Sequence, residues 1–184
     1  VGTPTQVDIE YCARFPWRGG RHPWLDAAIV TSTHLVGVES KRFEPYRDRK
    51  TVSLSEAYDR PKWGRNMGEF EQMRDRLRNG AERFELLDAA QLVKHAFGLV
   101  TQASKRGLKP VLVYLYAEPA IRDGRAIDPA LFSQHREEIA RFSNSVAGAE
   151  VAFHAVSYRD WLANWPSGGE VAIHAQNVLQ RFEP

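Results

Sequence analysis

The first part of the chain alternates short apolar stretches with charged and turn-forming residues. Residues 6–15 mix β-branched and aromatic side chains and end at a loop rich in glycine and proline, which predicts a strand. Residues 24–30 and 34–43 are two further strand-like stretches, separated only by a short polar turn. Their spacing predicts an antiparallel hairpin.

The middle of the chain changes from strand-like to helical patterns. Residues 44–66 are charged and aperiodic, so we expect an extended connection with one short strand at 51–54. Residues 68–80 have a helical composition, with Gly80 as the C-terminal stop. An apolar stripe at helical spacing then predicts a long buried helix over about 86–105 that ends near Gly107. The stripe consists of Leu86, Ala90, Val93, Phe97 and Val100.

The last part of the chain alternates strand and helix. Residues 109–119 form a near-continuous apolar run, which is typical of a strand covered on both faces. Asp128 and Pro129 predict the start of a helix that reaches Gly148. Residues 150–158 then predict a strand, and 158–165 and 170–182 predict terminal helices.

The order of these elements predicts a mixed α/β fold. We expect an antiparallel front half and one right-handed crossover between two parallel strands behind it. We expect a single domain over residues 1–184, with a core at about 6–120 and an α/β extension at about 121–184. This length and a hydrophobic content of 43% allow a sizeable core.

Composition and charge indicate the compartment of the protein and the kind of partner that it binds. The single cysteine, Cys12, cannot form an internal disulfide, so we expect a reducing compartment and a cytoplasmic location. No apolar run of membrane-spanning length and no signal-peptide pattern is visible, so we expect no membrane partner. The net charge is only +2, but eight basic and four acidic residues lie between Lys41 and Arg65. This local excess is suited to contact with phosphate.

Three charged residues interrupt the predicted hairpin, where apolar or neutral side chains are usual. Glu39 and Lys41 share one face of their strand, and Asp26 can reach that face from the paired strand. Two carboxylates and the backbone carbonyl of Ser40 are oxygen ligands of the kind that Mg²⁺ or Mn²⁺ prefers. Lys41 can orient or deprotonate a water, or balance charge on a phosphate in the transition state. The alternative is a structural ion pair, which is an unusual use of a core strand.

The pattern Asp26, twelve intervening residues and then Glu39-Ser40-Lys41 resembles the signature of the PD-(D/E)XK nuclease superfamily, which has the restriction-endonuclease-like fold. The resemblance implies an αβββαβ core with a mixed sheet flanked by helices. It also implies that Asp26 and Glu39 hold Mg²⁺, for which Mn²⁺ can substitute, and that Lys41 serves the attacking water. Pro23 lies three residues before Asp26 rather than next to it. No helix with a further glutamate precedes the first strand, where Glu10 is the candidate substitute.

The same resemblance adds a residue on the long helix. In the RecB-like branch of the superfamily, a glutamine on this helix flanks the active site and a tyrosine follows four residues later. Gln91 is similar in place, although His95 stands where that branch has tyrosine. Gln91 is therefore expected to hold the catalytic lysine or a phosphate, and the alternative is a polar helix edge. Lys94 is a weaker candidate for a similar role.

The expected function is a metal-dependent nuclease that hydrolyses phosphodiester bonds in DNA. By analogy with the family we expect an endonuclease that acts as a homodimer. Cations near the hairpin are candidates for phosphate contact. Tryptophans near them are candidates for base stacking, although tryptophans near strand ends more often pack in the core or at its rim. The candidates are Trp17, Trp24 and Trp63, with Arg18, Arg21, Lys62 and Arg65.

Other classes of function remain open or lack support. The alternatives are a non-catalytic nucleic-acid-binding or accessory module of the same fold, and a nuclease for RNA or structured DNA. No zinc, serine-hydrolase, P-loop or dinucleotide motif is present.

Overall fold

A five-stranded mixed sheet organises the chain. The computed structural model describes residues 2–17, 21–48, 50–60 and 63–184. Its strands are β1 (Pro4–Cys12), β2 (Trp24–Thr31), β3 (His34–Lys41), β4 (Lys109–Tyr116) and β7 (Ala152–Ser157). In space they lie in the order β1-β2-β3-β4-β7. The predicted α/β class and single domain are therefore confirmed, because the C-terminal strand β7 joins the same sheet.

The strand directions divide the sheet into two halves. β1 and β2 pair antiparallel, as do β2 and β3, which confirms the predicted hairpin. β3 and β4 pair parallel, as do β4 and β7. Two connections therefore join parallel neighbours, where the sequence predicted one. β4 lies between two parallel strands, and this position explains its continuous apolar sequence.

Six helices and a small hairpin complete the described part of the chain. The helices are α1 (Glu44–Arg47), α2 (Gly68–Asn79), α3 (Ala89–Arg106), α4 (Pro129–Ser145), α5 (Tyr158–Ala163) and α6 (Gly169–Phe182). A 3-10 turn covers Glu56–Asp59. β5 (Ile121–Arg122) and β6 (Arg125–Ala126) form the small hairpin. Among these described residues, no helix combines the length and the apolar character that a membrane crossing needs.

Two predictions of local structure need correction. Residues 51–54 form no strand; the connection instead contains α1 and the 3-10 turn, which the aperiodic sequence did not reveal. The long helix begins at Ala89 and not near residue 86, because Asp88 caps it by accepting a hydrogen bond from the Gln91 N–H. Leu86 is buried in the preceding turn, so it continues the apolar stripe without being helical. The predicted Gly80 stop is confirmed, with Gly80 in the left-handed conformation.

Close approach between α3 and the front of the sheet fixes the position of the candidate site. A Cβ at Gly98 of α3 would lie 2.5 Å from the carbonyl oxygen of Ala13, just after β1. A Cβ at Gly37 of β3 would lie 2.6 Å from Leu25 and 3.1 Å from Leu99. Glycine at both positions therefore lets α3 pack directly on the strands that carry the three predicted charges.

Candidate active site

Asp26 lies near the start of β2, beyond the end of its pairing with β3. The pairing of β2 with β1 is regular on both sides of this position, with Ile9 opposite Ala27 and Tyr11 opposite Leu25. The pairing of β2 with β3 stops at Ala27 and Val38, one residue short of Asp26. Asp26 is exposed, and its Oδ2 accepts a hydrogen bond of 2.6 Å from the Ser40 backbone N–H. The carboxylate thus replaces a ladder hydrogen bond between the strands, where the sequence predicted only a shared face.

Glu39 is a buried carboxylate with two basic neighbours. Its side chain is 2% exposed. Lys41 Nζ donates to Glu39 Oε1, and His95 Nε2 of α3 lies 3.0 Å from Oε2. The His95 contact lacks hydrogen-bonding geometry, so Oε2 and both ring nitrogens of His95 are buried without a hydrogen-bond partner. Unsatisfied buried polar atoms are costly and are concentrated at functional sites.

The electrostatics of these side chains keep Glu39 and Lys41 charged. Burial raises the pKa of Glu39, but His95 and Lys41 outweigh this effect and its pKa is lowered. Burial lowers the pKa of Lys41, but Glu39 outweighs this effect and its pKa is raised. The pKa of Asp26 is raised, first by the partial desolvation of its otherwise exposed carboxylate and also by the charge of Glu39, against the opposing hydrogen bond from Ser40.

The backbone and the side chain of Ser40 have different partners. In a strand that pairs antiparallel, the N–H and C=O of one residue point to the same side. Because the Ser40 N–H points to Asp26, its carbonyl oxygen lies on that side as well. The next carbonyl, of Lys41, accepts from Ala117 on the β4 side, as this alternation requires. The Ser40 hydroxyl is 2.7 Å from the hydroxyl of Tyr158, so only the backbone of Ser40 is directed toward the candidate site.

Glu10 lies on β1 beside Asp26. The neighbouring residues pair as Ile9 with Ala27 and Tyr11 with Leu25, and Glu10 between them has a φ of 55°. A left-handed conformation is uncommon for a residue other than glycine. The charge of Glu10 contributes to the raised pKa of Asp26, so the two carboxylates are near each other.

Gln91 and Lys94 line a groove next to these charged residues. We call it the tryptophan groove and define it by Trp17, Arg21, Trp24, Gln91, Lys94 and His95. Gln91 is half-buried on its wall, and no hydrogen bond joins its side chain to Lys41 in the described ranges. The structure therefore pairs Lys41 with Glu39, where the sequence offered Gln91 as a partner.

The predicted aromatic and cationic residues have different locations. Trp63 belongs to the core: it is 3% exposed, and its ring stacks on Phe97 at 4.3 Å between centroids. Of the two alternatives for this tryptophan, core packing is therefore confirmed and base stacking is excluded. Arg65 is exposed outside the groove, and its backbone N–H donates to Glu150. Arg18 and Lys62 lie outside the described residues.

The available ligands suit a hard divalent cation. Within residues 2–17, 21–48, 50–60 and 63–184, no group of three or more His, Cys, Asp or Glu side chains is placed to hold a metal ion. Mg²⁺ commonly needs only one or two carboxylates and keeps several waters. Asp26 and Glu39 offer two carboxylates, and the Ser40 carbonyl offers a third oxygen on the Asp26 side of the strand, so the donors are of this type. The residues present therefore fit Mg²⁺ or Mn²⁺.

Sequence reasoning missed two contacts of this site. His95 was noted only as a departure from a motif, but it lies against Glu39. Tyr158 holds the Ser40 side chain from far along the chain. The apolar stripe of α3 does not predict the burial of His95, which lies on the opposite side of the helix from that stripe. His95 is buried because α3 is covered on both of these sides, as Leu92 and Leu99 also show. No sequence pattern links Tyr158 to Ser40.

Comparison with protein-family models, with curated proteins and with solved structures finds no match to this chain. Function is therefore inferred from the geometry and chemistry of the site. The relevant observations are the contacts of Asp26, Glu39 and Lys41, and the groove beside them.

Proposed function

We propose that this protein is a metal-dependent nuclease that hydrolyses phosphodiester bonds in DNA. We also propose that its sheet is the core of a restriction-endonuclease-like fold. Three antiparallel strands, the long helix α3 and the parallel strand β4 occur in this order in the chain, with α1, the 3-10 turn and α2 inserted before α3. Apart from this insertion, the order corresponds to the βββαβ part of the αβββαβ core. This order of elements supports the proposal, but a fold alone does not specify an activity.

The hydrogen bond between Asp26 and the backbone of Ser40 is the observation that carries the proposal. It brings the isolated aspartate onto the middle residue of Glu39-Ser40-Lys41. Two segments that are separate in sequence therefore meet at one end of the β2-β3 pair. A structural ion pair between Glu39 and Lys41 alone would not require an exposed carboxylate at this position.

Asp26, Glu39 and the Ser40 carbonyl would hold the metal ion. A bound Mg²⁺ or Mn²⁺ would polarise the phosphoryl group and lower the pKa of a coordinated water. Burial of Glu39 against His95 and Lys41 restricts the rotamers of its carboxylate, so the ligand is already oriented. Asp26 is exposed and so is accessible to a substrate phosphate.

Lys41 acts as a cation in this proposal. Because Glu39 raises its pKa, Lys41 is protonated at neutral pH and is poorly suited to remove a proton from water. It is suited to orient a water and to balance negative charge on the phosphate. Of the roles that the sequence left open for Lys41, we therefore favour orientation and charge balance.

The choice of DNA as substrate rests on charge and on the family resemblance. The excess of basic residues directly after Lys41 favours a polyanionic substrate. Cutting within a duplex, and action as a homodimer, come from the family resemblance. RNA and structured DNA are therefore separate arms of the test below.

A cleavage assay tests this function. Supercoiled plasmid, linear duplex and single-stranded RNA are incubated with the protein in Mg²⁺, in Mn²⁺ and in EDTA. We expect metal-dependent cleavage of DNA, and a loss of about 100-fold or more in Asp26→Ala and Lys41→Ala. Glu137→Ala on α4 and Lys105→Ala on α3, both at exposed positions, are matched controls that should cut like the parent protein.

Each other outcome has a defined meaning. If the two site variants cut as well as the parent protein, the assigned site is wrong. If no substrate is cut but DNA is bound with no uptake of Mg²⁺ or Mn²⁺ in calorimetry, the protein is a binding module. If RNA alone is cut, the assignment of the catalytic site is retained and the proposal of DNA as the substrate is wrong.

A further inference from the structure

The tryptophan groove has a composition suited to nucleotides. Its volume is about 610 Å³, and none of its described lining residues is acidic. Arg21 and Lys94 line it, and neither has an acidic partner within 4.0 Å in the described chain segments. Burial lowers the pKa of Lys94, which is the effect of partial desolvation on an ammonium group. An anionic ligand would compensate for the solvation that Lys94 has lost.

One wall of the groove presents an unusually exposed aromatic ring. Trp24 is the first residue of β2 and is 57% exposed, although it lines a groove. Its backbone pairs with Cys12 of β1, so the strand fixes its position. Exposed tryptophans on rigid elements are typical platforms for base stacking.

The floor of the groove is rigid and aromatic. Phe15 and Tyr58 are buried beneath it, with ring centroids 5.5 Å apart in an edge-to-face arrangement. Trp17 packs on Phe15 at 5.1 Å and carries the Arg60 guanidinium over its ring at 4.6 Å. One face of the Trp17 ring is therefore covered by Arg60, and the Trp24 ring is the more accessible of the two for stacking.

The groove adjoins the candidate active site at two points. His95 lines the groove and also lies 3.0 Å from Glu39. Trp24 precedes Asp26 by two residues on β2. A strand bound in the groove would therefore continue directly to the proposed metal ligands.

We propose that the tryptophan groove binds a single-stranded segment of nucleic acid, with a base stacked on Trp24 and phosphates at Arg21 and Lys94. This inference rests on the proposed function, since it identifies the form of substrate that reaches the same site. A duplex buries the faces of its bases between neighbouring pairs, so an exposed indole can stack only on an unpaired base or a strand end. The volume is that of a small-ligand site, which suits one or two nucleotides and excludes a duplex.

Binding measured in EDTA tests the groove without the metal or cleavage. Fluorescence anisotropy compares labelled oligothymidylate and a single-stranded RNA oligomer with a duplex of equal charge whose two ends are closed by non-nucleotide linkers, so that it has neither an unpaired base nor a strand end. We expect the single strands to bind about tenfold tighter than the duplex. Trp24→Ala should weaken single-strand binding about tenfold, whereas Trp24→Phe should retain most of it because a flat ring remains.

Matched variants show whether a loss of binding comes from lost base stacking, from lost charge or from misfolding. Lys94→Ala should lower the slope of log affinity against log salt by about 0.7, whereas Lys105→Ala at the exposed end of the same helix should not. Trp161→Ala, which removes an exposed tryptophan of α5, should bind like the parent protein. Circular dichroism checks that all variants are folded.

The inference is wrong if the duplex binds as tightly as the single strands, or if Trp24→Ala and Trp161→Ala behave alike. Its failure is distinct from failure of the nuclease proposal, because the latter is judged by cleavage in Asp26→Ala and Lys41→Ala. Single-strand binding without any cleavage would confirm the proposed binding site and contradict the proposed nuclease activity.

Discussion

The Asp26 carboxylate accepts a hydrogen bond of 2.6 Å from the backbone N–H of Ser40. This contact joins the two strands at the point where their regular pairing ends, and it orients an exposed carboxylate beside a buried one. The two carboxylates differ in burial. We therefore expect both to be needed for activity, but only the buried Glu39 to contribute strongly to stability.

Glu39→Ala should destabilise the fold far more than Asp26→Ala. Removal of the buried Glu39 leaves Lys41 and His95 without their acidic partner, which costs about 3 kcal/mol. Removal of the exposed Asp26 should cost at most about 1 kcal/mol, although both changes should abolish cleavage. Urea unfolding of both variants measures the difference. Equal losses of stability would show that Asp26 has a structural role instead.

His95→Asn should weaken metal binding while cleavage at saturating metal is better preserved. His95 contacts Glu39 and not the proposed water or phosphate, so we treat it as a positioning residue. Loss of such a neighbour commonly costs about 10-fold in metal affinity. The Mn²⁺ concentration for half-maximal activity measures this shift. His174→Asn on exposed α6 is the control, and an unchanged metal requirement in His95→Asn would contradict the assigned role.

His135 should make the fold sensitive to mild acid. Burial lowers its pKa to about 4, and its Nε2 lies 3.0 Å from the Tyr114 hydroxyl. The unfolded chain gains a proton near pH 6.5 and the folded one does not, so stability that is complete above that pH is lost progressively as the pH falls toward 4. The loss should reach about 2 kcal/mol between about pH 7.5 and about pH 5.

Unfolding titrations of the parent protein and His135→Gln at both pH values measure this contribution. The glutamine amide can still hydrogen-bond to Tyr114 but does not titrate. Between these two pH values the free energy of unfolding of His135→Gln should therefore fall by about 2 kcal/mol less than that of the parent protein. An identical pH dependence in the two proteins would contradict the assignment to His135.

Gly98→Ala should destabilise the protein although alanine favours helices. A Cβ would meet the carbonyl oxygen of Ala13 at 2.5 Å and its Cβ at 2.8 Å. The overpacking costs about 1–3 kcal/mol, against a gain in helix propensity of about 1 kcal/mol. Gly68→Ala at the start of α2, where a Cβ meets nothing within 4 Å, is the control and should be neutral or stabilising. Thermal unfolding distinguishes the two.

The order and type of the main elements could be predicted from the sequence, because local patterns encode them. The hairpin follows from two apolar stretches around a polar turn, and α3 follows from its apolar stripe. The capping residue Asp128 and Pro129 predicted the start of α4 correctly. The connection after β3 could not be predicted, since α1 and the 3-10 turn carry no apolar periodicity of their own.

The composition of the site could be predicted, but its contacts could not. Strand alternation places Glu39 and Lys41 together, and their ion pair follows from that register. It does not predict that the Asp26 side chain accepts a hydrogen bond from the Ser40 backbone, because this contact lies beyond the last paired residues of β2 and β3. The burial of Trp63 is likewise a tertiary effect, since its stacking on Phe97 joins distant parts of the chain.

The most direct test of the central claim is a crystal structure of the protein soaked with Mn²⁺. Anomalous diffraction locates Mn²⁺ independently of the protein density. We predict an anomalous peak between the carboxylates of Asp26 and Glu39, within coordination distance of the Ser40 carbonyl oxygen, and no peak in Asp26→Ala crystals. Crystals of the folded parent protein without Mn²⁺ at this position would contradict the account.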